Sequence, residues 1–172
     1  MLRGKQVHEY EKGILKGIQL HKEIDKFTDS HIIVKDSIEL IKPNQGRWAP
    51  VIVDIMYDHF LAKNWLNYHN EELADFANYV YTLMESNFEI LPERFQYMLP
   101  KMKEENWLFQ YQYVEGITKA FEGISRRASF ESNMAFATED LLTNYDELEQ
   151  NFVEFFEDLI LFVEDKGVYL TK

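Results

Sequence analysis

Pro50-Val51-Ile52-Val53-Asp54-Ile55-Met56-Tyr57-Asp58-His59-Phe60-Leu61 decides how the rest of the chain is read. Proline suits the first turn of a helix, where its missing N–H would have had no partner. After it come apolar side chains at nearly every angle around a helical turn, with no further glycine or proline. A helix that is apolar all round belongs in the interior of a domain. This segment is therefore expected to lie at the centre, with other helices packed about it.

Outward from this segment the helical period of three and four recurs. Upstream, a helix is predicted from about Val7 to Phe27, with Ile14, Ile18, Leu20, Ile24 and Phe27 on its apolar side. Thr28-Asp29-Ser30 interrupts it, and Asp29 or Ser30 is placed to cap a second helix carrying Ile33, Val34, Ile38 and Ile41. That helix is expected to stop at Lys42-Pro43-Asn44-Gln45-Gly46. Downstream, Glu71 to Ser86 reads as a helix, Pro92 opens another, and Pro100 is expected to bend or break it. Trp107 to Arg127 reads as one helix, its aromatic start as core, and Leu148, Phe152, Phe155, Leu159 and Phe162 mark a final one that Gly167 ends. With no repeat, low-complexity tract or linker, the prediction is all-α: one domain over 1–172, a compact bundle of about seven helices.

Composition narrows the function. The 13 Phe, 10 Tyr and 3 Trp promise an aromatic core, and no apolar run approaches the roughly 18 residues of a membrane span. The opening Met1-Leu2-Arg3-Gly4-Lys5 leads into polar residues where a signal peptide needs an apolar block, so a soluble, cytoplasmic protein is expected. With no cysteine, any metal must be held by imidazole and carboxylate. A net charge of -12 argues against a nucleic-acid backbone as partner.

The chemistry concentrates in His21-Lys22-Glu23-Ile24-Asp25-Lys26-Phe27-Thr28-Asp29-Ser30-His31 and in Asp54 to His59. Residues four apart share a helix face, which pairs His21 with Asp25 and Asp54 with Asp58. The aspartate pair is the more telling, because like charges at this spacing destabilise a helix by a few tenths of a kcal/mol. In so apolar a segment at least one of the two should be buried, and a buried carboxylate needs a cation or several hydrogen bonds. On spacing alone two readings stand: a divalent metal that activates water beside a phosphoryl oxygen, or neutralisation by Arg or Lys from another helix. His59 points nearly 100° away from Asp58, so both reach one ion only if a cavity wraps around the helix. Asp29 and His31 suit capping and turn formation better than ligation, and His8 and His69 read as surface residues. Arg126-Arg127 complements a helix dipole or clamps a phosphodiester.

Gly17 to His31, then Asp54 to Ala62, then Gly123-Ile124-Ser125-Arg126-Arg127 resemble the acyl carrier protein phosphodiesterase family, over nearly the whole chain. The resemblance implies an all-α fold distantly related to HD-type phosphohydrolases. It also implies a manganese-dependent reaction that removes 4'-phosphopantetheine from holo acyl carrier protein to restore the apo form. Carried over, His21, Asp25, Asp54, Asp58 and His59 become candidates for the metal, with Asp25, Asp58, His59 and Arg126 as candidate catalytic residues. Asp29 and His31 are secondary candidates for supporting or phosphate-binding roles. Members of the family open with a Leu-Ala-His and a Gly-Asn motif ahead of the segment matched by Met1 to Lys5. This chain lacks that stretch, and weakened activity is expected if it supplies a ligand. A strongly acidic carrier would also need a local basic face, for which Lys42, Arg47, Arg94, Lys101, Lys103, Arg126 and Arg127 are the residues to inspect. The alternatives are an HD-like phosphohydrolase of a small phosphoester or nucleotide, and a helical binding protein without catalysis.

Overall fold

The computed structural model describes residues 12–126 and 132–167. Their regular structure is helical throughout: α1 (Lys12–Ser30), α2 (Ile32–Gln45), α3 (Ala49–Lys63), α4 (Leu73–Ser86), α5 (Glu93–Glu104), α6 (Trp107–Gln110), α7 (Val114–Ser125), α8 (Ala137–Thr143) and α9 (Tyr145–Gly167). Seven of these are long, in keeping with the all-α expectation, and α6 and α8 are short additions. No described helix is long and apolar enough to cross a membrane.

Several boundaries differ from the sequence reading. Thr28-Asp29-Ser30 does not interrupt α1, which runs on to Ser30, whose hydroxyl donates back to the Phe27 carbonyl at 3.1 Å. Pro43 lies inside α2 rather than stopping it. The helix yields at Gly46 instead, whose φ of 54° is the left-handed conformation that glycine adopts at little cost. Pro100 likewise sits within α5, which continues to Glu104. Trp107 to Arg127 is two helices, not one. Asn106 enters α6 in the left-handed region, and α7 begins so close to the end of α6 that a Cβ on Gly116 would run into the Gln110 carbonyl. That approach is open only to glycine. The seven-residue α8 was not foreseen.

The chain divides into two compact units, one built from described residues up to Leu40 with those from Asp146 onward, the other running Ile41–Tyr145. In the first, Phe27 of α1 stacks on Phe162 of α9 with centroids 4.4 Å apart, and His31 meets Phe155 edge-on at 5.2 Å. Asn151 donates to the buried Ser37 hydroxyl at 3.0 Å. No residue of α1 is fully buried, so its apolar side is only half covered.

The second unit is organised around α3, as its sequence demands. Ala49, Ile52, Val53, Ile55, Met56, Tyr57, His59, Phe60 and Ala62 are all buried. Helix α7 packs against α3 and against α8 with the 3₁₀ turn Met134–Phe136 before it. A satellite core of Ala77, Tyr81 and Leu99 receives Leu108 and Phe109 from α6, so the aromatic stretch is core as predicted. Asp140 of α8 is buried, and its two carboxylate oxygens accept the side-chain amides of Asn44 and Gln45. Those hydrogen bonds offset the loss of water that a buried carboxylate otherwise suffers.

Candidate active site

On α3 the pattern of burial isolates two chemical groups. Apart from Pro50 and Val51 at its start and Lys63 at its end, the exposed positions of the helix are Asp54 and Asp58. Both carry accessible surface, and of the two it is Asp58 that the surrounding protein shuts off from most of its water. Asp58 is nevertheless crowded by protein, and its carboxyl is pushed up to about 7, first by lost hydration and then by the negative charge of Asp54. Solvent reaches this group while protein surrounds it from most directions, a setting in which charge is costly and a cation is welcome.

His59 follows a different path. Its imidazole is 1% exposed. Nδ1 lies 2.8 Å from the Tyr111 carbonyl oxygen and Nε2 lies 2.8 Å from the Tyr145 hydroxyl. A carbonyl only accepts, so Nδ1 carries the proton, and in the neutral ring Nε2 accepts from the tyrosine. The lone pair a metal would need is thereby engaged, and the ring faces inward where the aspartates face out. This departs from the metal and catalytic roles expected of His59.

On α1, His21 and Asp25 do come together, with Nε2 and Oδ2 3.5 Å apart. Both are exposed, their side chains 74% and 56% accessible, so the pair is a surface contact. Asp29 is exposed at the end of the same helix. His31 is half-buried, its Nε2 3.3 Å from Asp158 and its ring between Phe27 and Phe155, which is a packing role. Arg126 is exposed and lies 3.6 Å from Glu122 one turn back. Arg127 and His8 fall outside the described residues. His69, expected at the surface, is half-buried against Trp65 and accepts the Glu71 amide at 3.1 Å. Among the described residues no group of three or more His, Asp or Glu gathers where an ion could sit, so the candidate ligands are offered in pairs.

The cations inspected for a basic face are partly occupied within the chain. Lys101 contacts Glu105 at 3.5 Å, Lys103 contacts Glu85 at 2.8 Å, and the Arg47 guanidinium lies over the Trp48 ring at 5.1 Å. Sequence reasoning missed Tyr145 and the Tyr111 carbonyl altogether. Neither carries a local signal, since their importance arises only from contact with His59.

Comparison with known proteins identifies the family. A family model described as acyl carrier protein phosphodiesterase matches residues 1–159. An acyl carrier protein phosphodiesterase of Klebsiella pneumoniae (strain 342) is 30% identical over 166 residues, covering 96% of this chain and 86% of that protein. One from Enterobacter sp. (strain 638) is 29% identical over the same shares. One from Photorhabdus laumondii is 27% identical over 98% of this chain and 85% of its own length. No solved structure matches. The extent of the family match, and relatives aligned end to end with nearly the whole chain, establish that the protein belongs to the acyl carrier protein phosphodiesterase family, whose members are phosphodiester hydrolases.

Proposed function

We propose that the protein is a divalent-metal-dependent phosphodiesterase that releases 4'-phosphopantetheine from holo acyl carrier protein, with Asp54 and Asp58 as its principal metal-binding pair. The observation that carries the reading is the exposed acidic stripe on an otherwise buried helix. Asp54 destabilises the charge on Asp58, and the attraction of a bound cation to both carboxylates would outweigh that repulsion. Two carboxylates one turn apart are fewer ligands than a tetrahedral zinc set requires. They suit manganese or magnesium, hard ions that oxygen donors would hold and that need few protein ligands. Asp54 and Asp58 would hold such an ion, whose chemistry there would be charge stabilisation of the phosphoryl oxygens and a lowered pKa for water.

The chain's own residues do the rest. Asp54 and Asp58 hold their carboxylates on one face of a helix whose other faces are fixed in the core, so the pair is presented with little freedom. Arg126, held among the described residues by an exposed contact with Glu122, is available to pair with a phosphodiester oxygen instead, because an exposed ion pair of this kind is worth well under about 1 kcal/mol. The exposed His21–Asp25 pair on α1 is a second candidate for metal or proton handling.

Incubation of the protein with holo acyl carrier protein and manganese, followed by intact mass of the carrier, tests the reading. Loss of the prosthetic group is expected, and Asp58→Asn should reduce both this loss and manganese affinity by at least the roughly ten- to a hundredfold that removing an outer partner of a metal site costs. A carrier that keeps its full mass, while a small phosphodiester is cleaved, would move the assignment to the small-phosphoester alternative.

A further inference from the structure

Resting on the reading of Asp54 and Asp58 as the metal-binding pair, we propose that His59 is a positioning residue that works with Tyr145 to set the direction of that pair, rather than a ligand beside it. The geometry is specific. His59 is next to Asp58 in sequence and about 100° around the helix from it, so the roll of α3 that aims the carboxylate is the same roll that aims the imidazole. The ring is buried and held from both sides, by the Tyr111 carbonyl at 2.8 Å and the Tyr145 hydroxyl at 2.8 Å.

The Tyr111 carbonyl reaches the ring because the chain between α6 and α7 is broken. In an uninterrupted helix it would have faced the amide four residues on. The break is marked by the extended backbone of Tyr113 and depends on the absence of a side chain at Gly116, where any Cβ would strike Gln110. Tyr145, for its part, clasps α3 over a full turn. Its hydroxyl meets His59, its ring packs edge-on against Phe60 at 5.2 Å, and the Lys63 ammonium lies 4.7 Å above the same ring. Buried side-chain networks of this kind cost more to break than their separate bonds suggest, because each orphaned group loses water as well as its partner. Outer partners of a metal site that orient its ligands commonly change metal affinity by about ten- to a hundredfold when removed.

Nitrogen NMR of the histidine-labelled, metal-free chain reads the ring directly. We expect Nδ1 protonated and Nε2 unprotonated, an Nε2 signal that moves in Tyr145→Phe, and no displacement of that signal when magnesium is added. Manganese titration should show Tyr145→Phe and His59→Gln weakened by a similar factor, on the order of tenfold, with Tyr145→Phe still folded as judged by its helical circular dichroism. A ring protonated on Nε2, an Nε2 signal shifted by magnesium, or a Tyr145→Phe variant that binds manganese like the wild type would overturn the proposal. Should His59→Gln fail to fold, Tyr145→Phe carries the test alone, since it removes one hydroxyl from a half-buried ring. A wild type that binds no manganese and spares holo acyl carrier protein would count against the catalytic reading instead, and the ring's protonation would still decide the role of His59.

Discussion

Helices α1 and α3 each carry an ionisable pair at the same spacing, yet they present different chemistry. His21 and Asp25 lie on a helix with no fully buried residue, where water surrounds both side chains. Asp54 and Asp58 lie on a helix buried on its other faces, where protein replaces water around Asp58. Spacing creates the pair, and the packing of the remaining helix positions decides whether its charge has consequences.

The largest expected effect comes from loosening the frame of α3. Phe60 is fully buried, so Phe60→Ala should cost about 3–5 kcal/mol in urea unfolding, while Ile24→Ala on the half-covered side of α1 should cost less than half as much. Equal losses would mean that the two helices are equally well supported, and the contrast would fail.

A second test uses pH. Because the Asp58 carboxyl is raised to about 7 in the folded chain, against about 3.9 when unfolded, the native state binds the extra proton between those values. Its contribution to stability is therefore present below about pH 4 and is lost as pH rises towards 7. Unfolding followed from pH 4 to 8 should show that decline, and Asp58→Asn should flatten it. A decline that persists in the variant would assign the proton elsewhere.

The smallest effect belongs to α1. His21→Ala removes an exposed contact at 3.5 Å and should alter unfolding free energy by no more than about 0.5 kcal/mol. A larger loss would show that the α1 pair is more constrained than its exposure implies.

Much of this was legible in advance at particular residues. The run from Val51 to Leu61 announced a central helix because its apolar side chains occupy nearly every angle around the axis. The same run showed Asp54 and Asp58 as the anomaly within it. Local signals misled where context overrode them. Pro43 and Pro100 do not end their helices, and the stop after α2 belongs to Gly46, whose φ is positive. The division of Trp107 to Arg127 escaped notice because it rests on the approach of Gly116 to the Gln110 carbonyl, which periodicity does not encode.

The order of residues by itself determined that the chain is helical, that α3 is buried, and that two carboxylates share one helix face, since all three follow from the 3.6-residue period. Only the tertiary structure decided which way those carboxylates face, and that His59 turns inward to Tyr111 and Tyr145. Direction and hydration depend on atoms brought in from distant parts of the chain, and no local pattern specifies which atoms those will be.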